Sequence, residues 1–332
     1  MNSIIFALMN IFLTFDYELF FGKHVGTVSK CMLEPTEELF NIAKGLDVSY
    51  TFFVDVGYLI QAEKYPELSN ELNMVKSQIS KMLDLGHDVQ LHIHPHWEKA
   101  KYLGGLWKMN VINFYKLSDF NKEDQLRIVK TYKLYLEKLI GRKVTTFRAG
   151  GSCIQPFSDL YNIFKEVGLK NDSSVFHNGY LVTSNYRYDF RNAPLKSKYR
   201  FEMDVCEENE GGSFNEYPIT SLRYNPSFFW KLYILGRLFP SKHKMVGDGE
   251  HVSQGFQKIS SLTNHTTAYV STDGYYAKKL STGLKKVENL GFNEMVVIGH
   301  PKGNTIYSMN KLREFISNNH NKHKFTSFFK EL

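Results

Sequence analysis

Three histidines, each separated from the next by one residue, form the densest group of potential metal ligands in the chain. They are His92, His94 and His96, within residues 86–97. Neutral imidazole is the commonest metal ligand in proteins, so this group predicts a metal site. If the chain continues as a strand, His92 and His94 face the same side. If Pro95 bends the chain instead, His92 and His96 form the pair.

Two carboxylates follow the first apolar stretch of the chain. Residues 11–15 have the pattern of a buried strand and lead directly into Asp16 and Glu18. The carboxyl ends of parallel strands are the usual active-site edge of α/β folds. A catalytic zinc-type site takes about three protein ligands and keeps one position open, so we expect a carboxylate beside the histidines. The other carboxylate can stay ionised and take a proton from water.

Two further apolar stretches end in ionisable residues. Residues 145–147 lead to Arg148 and two glycines, and residues 295–298 lead through a glycine to His300. Together with the two stretches above, four strands are predicted to deliver reactive side chains to one edge of a sheet.

Helical and extended patterns alternate along the chain, which is typical of βα units. Helical patterns cover residues 37–46, 72–85, 122–140 and 277–290, and strand patterns cover residues 50–54, 89–93, 145–147 and 268–272. No linker, repeat or low-complexity tract divides the chain. We therefore expect one catalytic α/β domain over residues 1–332, with an aromatic and basic insertion around residues 221–250.

The order of these motifs resembles the polysaccharide deacetylase family, the NodB-like carbohydrate esterases, and within it the branch whose first motif reads Asp-x-Glu. The matching pieces lie at residues 14–18, 86–96, 147–148, 171–174 and 298–301. They span nearly the whole chain. The resemblance implies a distorted (β/α) barrel of the NodB-like type.

The resemblance also implies catalytic roles. Asp16 becomes the general base, and Arg148 holds it ionised because a guanidinium does not lose its proton. His300 becomes the general acid, and Asp172 orients it, as carboxylates commonly do for catalytic imidazoles.

The metal ligands implied by the resemblance are Glu18, His92 and a second histidine. A spacing of four residues points to His96, whereas the family's His-Pro step matches His94. Of the two, we favour His92 with His96. The expected metal is zinc, although cobalt, nickel and iron also suit histidine and carboxylate ligands.

The reaction implied is metal-dependent hydrolysis of an N-acetyl or O-acetyl group on a saccharide. A backbone N–H at Gly150 or Gly151 would stabilise the oxyanion. For a cytoplasmic enzyme, we expect the substrate to be a surface-polysaccharide precursor, linked to a lipid or a nucleotide. The alternative is a catalytically inactive carbohydrate-binding protein that retains the fold. Asp16, Arg148 and His300 argue against that alternative, since a decayed site would have lost at least one of them.

Charge and cysteine content bound the partners and the compartment. The chain has 41 Lys and Arg against 34 Asp and Glu, a formal net charge of +7, which favours an anionic partner. No nucleic-acid motif accompanies the charge, so we expect no nucleic-acid partner.

The three cysteines, Cys31, Cys153 and Cys206, have no metal-site spacing and suit a reducing compartment. The apolar run at residues 4–8 lacks the basic region of a signal peptide, so we expect cytoplasmic residence, with Met1 or Met9 as the start.

Residues 221–240 combine aromatic side chains with cations and continue into a basic stretch at residues 242–244. Three uses fit this composition: a buried helix with basic edges, a lid over the substrate cleft, or an interfacial helix on the inner face of the membrane.

Overall fold

The computed structural model describes residues 8–252 and 255–331. Met1 and most of the apolar run at residues 4–8 lie outside the described residues, and so do the predictions about the start of the chain and a signal segment.

Strands and helices alternate through the first half of the chain, as predicted. The strands are β1 (Asn10–Tyr17), β2 (Tyr50–Asp55), β3 (Asp88–Ile93), β4 (Lys101–Leu103), β5 (Leu106–Lys108), β6 (Thr146–Ala149), β7 (Asn171–Asp172), β8 (Tyr180–Val182), β9 (Arg187–Asp189), β10 (Tyr199–Phe201), β11 (Phe214–Glu216), β12 (Ser221–Tyr224), β13 (Thr266–Tyr269), β14 (Glu294–Gly299) and β15 (Lys324–Phe325). The helices are α1 (Glu34–Ala43), α2 (Val56–Ala62), α3 (Ser69–Asp84), α4 (Lys122–Ile140), α5 (Tyr161–Val167), α6 (Pro226–Leu238), α7 (Pro240–His243), α8 (Gly255–Thr263), α9 (Leu280–Asn289), α10 (Ile306–Asn319) and α11 (Phe328–Glu331).

The central sheet is curved and mostly parallel. Its strand order is β10-β11-β7-β6-β3-β2-β1-β14, with β15 beside β1, and β10 pairs antiparallel with β11. Single bridges join Ile219 to Phe176, just after β7, and to Val296 in β14. These bridges connect the two sides of the curved sheet. The prediction of a distorted (β/α) barrel is therefore confirmed.

The inner strands are buried along their length. Every residue of β2 and β3 is buried, as is all of β1 except its first residue. Strands covered on both faces have continuous apolar sequences, which explains why these segments were recognisable. Because strand side chains alternate between faces, Phe12, Thr14 and Asp16 point the same way. One face of β1 thus runs from an aromatic ring to a carboxylate.

Aromatic rings support the reactive edge from inside the barrel. The ring of Phe328 in α11 stacks on Phe12, with centroids 4.8 Å apart, and lies 5.9 Å from Phe53. The guanidinium of Arg148 lies 4.1 Å from the Phe53 ring centroid. A cation over an aromatic face is stabilised electrostatically, so this stack fixes the buried arginine.

Helix bounds agree closely with the predictions. Helix α4 covers residues 122–140 as predicted, because Asn121 caps its first turn and Gly141 ends it with φ 68°. The other three predicted helices correspond to α1, α3 and α9, with bounds that differ by one to three residues at each end.

The strand predicted at residues 268–272 lies differently. Strand β13 ends at Tyr269 and pairs antiparallel with β12, outside the central sheet. The chain then returns to the barrel, where Ser271 bridges Ile298 of β14. Pairing with β12 thus takes the first part of this segment away from the barrel.

The segment around residues 221–250 forms β12, α6 and α7. Its description as an insertion in a single domain stays a prediction. The three cysteines are free. Within residues 8–252 and 255–331, no helix is both long enough and apolar enough to cross a membrane.

Candidate active site

Six ionisable side chains meet at the carboxyl-terminal edge of the barrel. They are Asp16 in β1 and Glu18 directly after it, His92 in β3 and His94 directly after it, Arg148 in β6, and His300 after β14. The sheet register aligns His92 with Arg148. All but one of the six are at most 4% exposed, whereas the side chain of His300 is 25% exposed. The site is therefore a buried cluster with His300 at its open side.

Glu18, His92 and His94 form a group that could hold a metal ion, and we call these three residues the metal-type group. Glu18 Oε2 lies 3.0 Å from His92 Nε2 and 2.8 Å from His94 Nε2, and the three ligand atoms lie within 4.8 Å of one another. His92 Nδ1 lies 2.8 Å from the carbonyl oxygen of Arg148. Because a carbonyl only accepts, Nδ1 is the donor, and Nε2 is left to bind a metal. One carboxylate with two imidazoles suits zinc and related divalent cations.

The two imidazoles differ in charge before any metal binds. Burial opposes protonation of His92, but the carboxylates of Asp16 and Glu18 raise its pKa to about 9. Burial lowers the pKa of His94 to about 4. A metal ion would displace the proton of His92, so metal binding should weaken as the pH falls.

His96 does not join this group. The strand alternation continues through His94, and the tight turn Pro95–Lys99 begins only afterwards, which carries His96 away from Glu18. The His96 ring is fully buried, and neither of its nitrogens has a hydrogen-bond partner among the described residues. The structure thus brings together His92 and His94, and the spacing argument that favoured His96 does not describe this geometry.

Asp16 lies between the metal-type group and His300. Its Oδ1 accepts a hydrogen bond of 2.8 Å from Arg148 Nη1. Its Oδ2 lies 3.8 Å from His92 Nε2 and 3.6 Å from His300 Nε2. Asp16 therefore contacts the arginine with one oxygen and presents the other to the site.

Arg148 is held from several directions. Its Nε donates to the Ser173 carbonyl at 2.8 Å, its Nη2 donates to Ser173 Oγ at 3.1 Å, and its Nη1 also donates to Thr14 Oγ1 at 2.9 Å. Burial alone would raise the pKa of Asp16, but the Arg148 charge, followed by His92 and His300, brings that pKa below its ordinary value. Asp16 is therefore ionised at neutral pH.

His300 is fixed by Asp273, a residue that the sequence analysis did not identify. Asp273 Oδ2 accepts from His300 Nδ1, and Asp273 Oδ1 accepts from the His300 backbone N–H, each at 2.8 Å. Burial lowers the pKa of His300, but Asp273 and then Asp16 raise it above its ordinary value overall. The protonated ring directs Nε2–H into the site.

Asp172, the expected partner of His300, lies elsewhere. Its carboxylate accepts hydrogen bonds from the Ser174 backbone N–H at 3.0 Å and from Ser174 Oγ at 2.8 Å. Burial raises the pKa of Asp172 above its ordinary value, although a hydrogen bond with Glu216 offsets part of that rise. Asp172 ends the short strand β7, and the turn that follows uses its oxygens. We therefore correct the expectation: Asp273, not Asp172, orients His300.

Comparisons with solved structures identify the fold of the chain. No protein-family model and no curated protein matches this chain. A protein of Mycobacterium smegmatis that has been assigned as a polysaccharide deacetylase matches 100% of this chain and 91% of its own, at 14% identity and a TM-score of 0.51. The chain has the polysaccharide deacetylase fold.

Two other solved structures are similar to the chain at the level of the fold. The 4-alpha-glucanotransferase from Thermococcus litoralis matches 97% of this chain at 13% identity and a TM-score of 0.50, but this chain covers only 40% of it. Puue allantoinase matches 97% of this chain and 88% of its own, at 12% identity and a TM-score of 0.50. These names denote different reactions, so the deacetylase fold alone does not fix the reaction, and the site must be argued from its residues.

Gly150 leaves room for the His94 imidazole in its observed position. A Cβ added to Gly150 would lie 2.6 Å from His94 Nδ1 and 2.7 Å from the carbonyl oxygen of Ile93, closer than side chains approach. Gly151 follows with φ 57°, a left-handed conformation that favours glycine. Both glycines lie in the turn after β6, beside the metal-type group.

Lys302 is a second residue that the sequence analysis missed. Its Nζ donates to Glu18 Oε1 at 2.8 Å and to the Leu19 carbonyl at 2.5 Å, and the residue is 4% exposed. Burial would raise the pKa of Glu18, but Lys302, followed by His94, brings that pKa well below its ordinary value. Lys302 thus occupies one oxygen of Glu18 and leaves the other for the histidines. Its position in the sequence, after His300, carried no signal for this contact.

Asp55 is a third missed residue. It ends β2 and aligns with His92 in the sheet register. Its Oδ2 accepts a hydrogen bond of 2.6 Å from Trp97 Nε1, and burial raises its pKa to about 7. The signal that found Asp16 would also have found Asp55, because Asp55 directly follows the strand pattern at residues 50–54.

Proposed function

We propose that the protein is a metal-dependent deacetylase that hydrolyses the acetyl group of an N-acetylated or O-acetylated saccharide. The observation that supports this function is the position of Asp16. Its free oxygen lies 3.8 Å from His92 in the metal-type group and 3.6 Å from His300. A base, an acid and a metal-type group therefore surround one point at the barrel edge, as hydrolysis of an amide or ester requires.

Glu18, His92 and His94 would hold the metal, which we propose to be zinc, with cobalt, nickel and iron as other candidates. When bound, such a cation lowers the pKa of a water molecule and polarises a carbonyl group. The remaining steps belong to side chains of this chain.

Asp16 acts as the general base. Its pKa is below the ordinary value, chiefly because Arg148 offsets the effect of burial, so it is ionised when the substrate arrives. It takes a proton from the attacking water as the new C–O bond forms. Arg148 remains charged throughout and holds Asp16 in one orientation.

His300 acts as the general acid. Nδ1 is engaged by Asp273, so the proton on Nε2 is the one available for transfer. It passes to the leaving nitrogen or oxygen of the sugar as the bond to the acetyl carbon breaks. The products are acetate and the deacetylated saccharide. A backbone N–H at Gly150 or Gly151 would stabilise the negative charge on the acetyl oxygen during the reaction.

We further propose that the substrate is a surface-polysaccharide precursor that carries a lipid or nucleotide group. Two observations support this substrate: the chain has the fold of a protein assigned as a polysaccharide deacetylase, and its three cysteines suit a reducing compartment. No nucleic-acid partner is proposed.

Metal content tests the proposal without knowledge of the sugar. Inductively coupled plasma mass spectrometry should find about one transition metal per chain in the wild type, as a structured site of this type would bind. His92→Ala and His94→Ala should lose the metal. His96→Ala is the matched control, since His96 is equally buried but outside the group, and it should retain the metal.

Acetate release from a panel of acetylated sugars is the second measurement. Release by the wild type, lost in Asp16→Asn, supports the deacetylase. If the wild type holds no metal after reconstitution with zinc or cobalt, the proposal fails, and the inactive carbohydrate-binding protein becomes the better assignment.

A further inference from the structure

Helix α6 carries apolar side chains on two opposite sides. Phe228 and Phe229 are buried, and Phe228 packs on Tyr275 with ring centroids 5.1 Å apart. Trp230, Ile234 and Leu238 are 50%, 48% and 66% exposed. A helix that is apolar on all sides is normally buried on all sides. The second side of α6 is instead exposed to solvent.

The exposed residues lie together. Trp230, Ile234 and Leu238 follow one another at intervals of four and so share one helix face. Phe239, at the end of the helix, is 52% exposed. Trp230 Nε1 donates a hydrogen bond to the Leu262 carbonyl of α8. On the same helix, Ile259 is 65% exposed. We name these five exposed residues the α6 patch.

The charged residues of the segment that contains α6 have one sign. Residues 217–247 contain five Lys and Arg residues and no Asp or Glu. The five are Arg223, Lys231, Arg237, Lys242 and Lys244. All five are exposed, and in the part of the chain that the structure describes none of them forms an ion pair with a carboxylate. Elsewhere on the surface, lysines and arginines commonly do, as in the Lys76–Glu63 and Lys81–Glu37 pairs.

We propose that the α6 patch docks on an anionic lipid bilayer. An exposed apolar stripe that contains a tryptophan and is bordered by long cationic side chains is the chemistry of an interfacial helix. The apolar side chains enter the boundary of the acyl chains, and the cations contact lipid phosphates. A second copy of the chain fits this surface less well, because a symmetric contact would face unpaired cations with the same cations.

The buried side of α6 and the segment after α7 connect the helix that carries the α6 patch to the candidate active site. Phe228 packs on Tyr275, which lies two residues after Asp273, the partner of His300. The Gly247 N–H, beyond α7, donates to the Lys302 carbonyl at 3.1 Å. If the proposed deacetylase function holds, docking therefore brings the site to saccharides carried at the membrane surface. Docking itself does not depend on that function.

Vesicle sedimentation tests the docking with the full chain. Vesicles of phosphatidylcholine mixed with phosphatidylglycerol should bind the wild type at low ionic strength, and pure phosphatidylcholine vesicles should bind it much less. Added salt should release the protein, because screening weakens contacts between exposed charges. Replacing Lys231, Lys242 and Lys244 by Gln should lower the affinity by about fivefold per cation, the factor that corresponds to about 1 kcal/mol for each.

Matched variants test whether vesicle binding requires the α6 patch or follows from exposed apolar residues anywhere on the surface. The triple variant Trp230→Ser, Ile234→Ser, Leu238→Ser should lose vesicle binding. The control Met74→Ser, Leu134→Ser replaces residues that are 52% and 55% exposed on α3 and α4, and it should bind as the wild type does. Circular dichroism and thermal unfolding establish that each variant is folded.

Tryptophan emission gives a readout at the α6 patch itself. The chain has three tryptophans, and Trp97 and Trp107 are 0% and 7% exposed, so Trp230 dominates any change on docking. Its emission should shift to the blue with anionic vesicles and be quenched by brominated acyl chains. Trp230→Phe should abolish the shift and retain vesicle binding.

Three results would overturn the proposal. The wild type fails to bind anionic vesicles at low salt, the folded triple Ser variant binds them as well as the wild type, or Trp230 emission does not change on binding. Dimerisation of the wild type that the triple variant abolishes, without vesicle binding, would assign the α6 patch to a second copy. Vesicle binding without acetate release would leave the docking intact and count against the deacetylase alone.

Discussion

Asp273 holds His300 at two points, with one oxygen on the backbone N–H and the other on ring Nδ1, each at 2.8 Å. This double contact fixes both the chain direction and the ring after β14. It leaves Nε2 as the only ring nitrogen that faces Asp16, at 3.6 Å. The pair therefore determines which proton His300 can transfer.

Asp273→Asn should move the alkaline limb of the pH–rate profile to lower pH. The Asp273 carboxylate contributes most to raising the pKa of His300, so a neutral residue in its place should lower that pKa. A general acid is active while protonated, so activity is then lost at a lower pH. We expect kcat to fall by about 10- to 100-fold, as for other partners that orient a histidine. The measurement is kcat/KM against pH for the wild type and the variant.

The same pair should affect stability in a defined pH range. Because the folded-state pKa of His300 is raised, its contribution to stability is fully present below the unfolded-state pKa of about 6.5 and is lost as the pH rises through the folded-state pKa. The stability difference between wild type and Asp273→Asn should therefore be larger in mildly acidic than in alkaline solution. A pH–rate profile whose alkaline limb moves in Asp172→Asn but not in Asp273→Asn would mean that Asp172, not Asp273, orients His300.

Lys302→Met should destabilise the metal-free protein more than the metal-loaded protein. Removing one partner of a buried ion pair costs up to about 3–5 kcal/mol when the other charge loses its compensation. In the metal-free protein the protonated His92, which Asp16 also contacts, would offset Glu18 only in part. A metal ion on Glu18 would supply the missing positive charge. Thermal unfolding with excess zinc and with a chelator measures the two losses.

Lys133→Met is the matched control for this comparison. Lys133 is also buried and pairs with Glu137 at 2.6 Å; both residues lie in α4, and neither belongs to the metal-type group. Its loss of stability should be the same with and without zinc. An equal loss for Lys302→Met in both conditions would count against a metal on Glu18.

Four of the site residues were predicted from strand patterns that end in a reactive side chain. Asp16, His92, Arg148 and His300 were identified in this way, and parallel neighbours bring such ends together. The choice between His94 and His96 depended on where the turn begins, which Pro95 does not fix by itself. Lys302 reaches Glu18 across 284 positions of sequence, and no local pattern encodes a contact of that kind. Asp273, like Asp55, directly follows a predicted strand pattern, here residues 268–272, so the same signal would have found it.

Asp16→Asn should abolish turnover and leave metal binding intact. Asparagine keeps an oxygen for Arg148 but cannot take a proton, and loss of a general base typically costs about 10²- to 10⁴-fold in rate. Glu18→Gln is the contrasting variant: it should lose the metal as well as the activity. Acetate release and metal content are measured on the same preparations. Full activity in Asp16→Asn would remove the general-base assignment.

Gly150→Ala tests whether the position of His94 matters for the metal. The added Cβ would lie 2.6 Å from His94 Nδ1, and because Gly150 is also close to the Ile93 carbonyl, the backbone cannot simply retreat on that side. The imidazole must therefore leave its present position beside Glu18, and we expect zinc affinity to fall by about 10- to 100-fold, the usual effect of disturbing a ligand's support. Competition with a chromophoric chelator measures it. Gly236→Ala is the control, since no atom lies within 4 Å of its added Cβ, and it should bind zinc as the wild type does. Unchanged affinity in Gly150→Ala would mean that His94 is not a ligand, because a ligand held only 2.8 Å from Glu18 cannot be displaced without consequence.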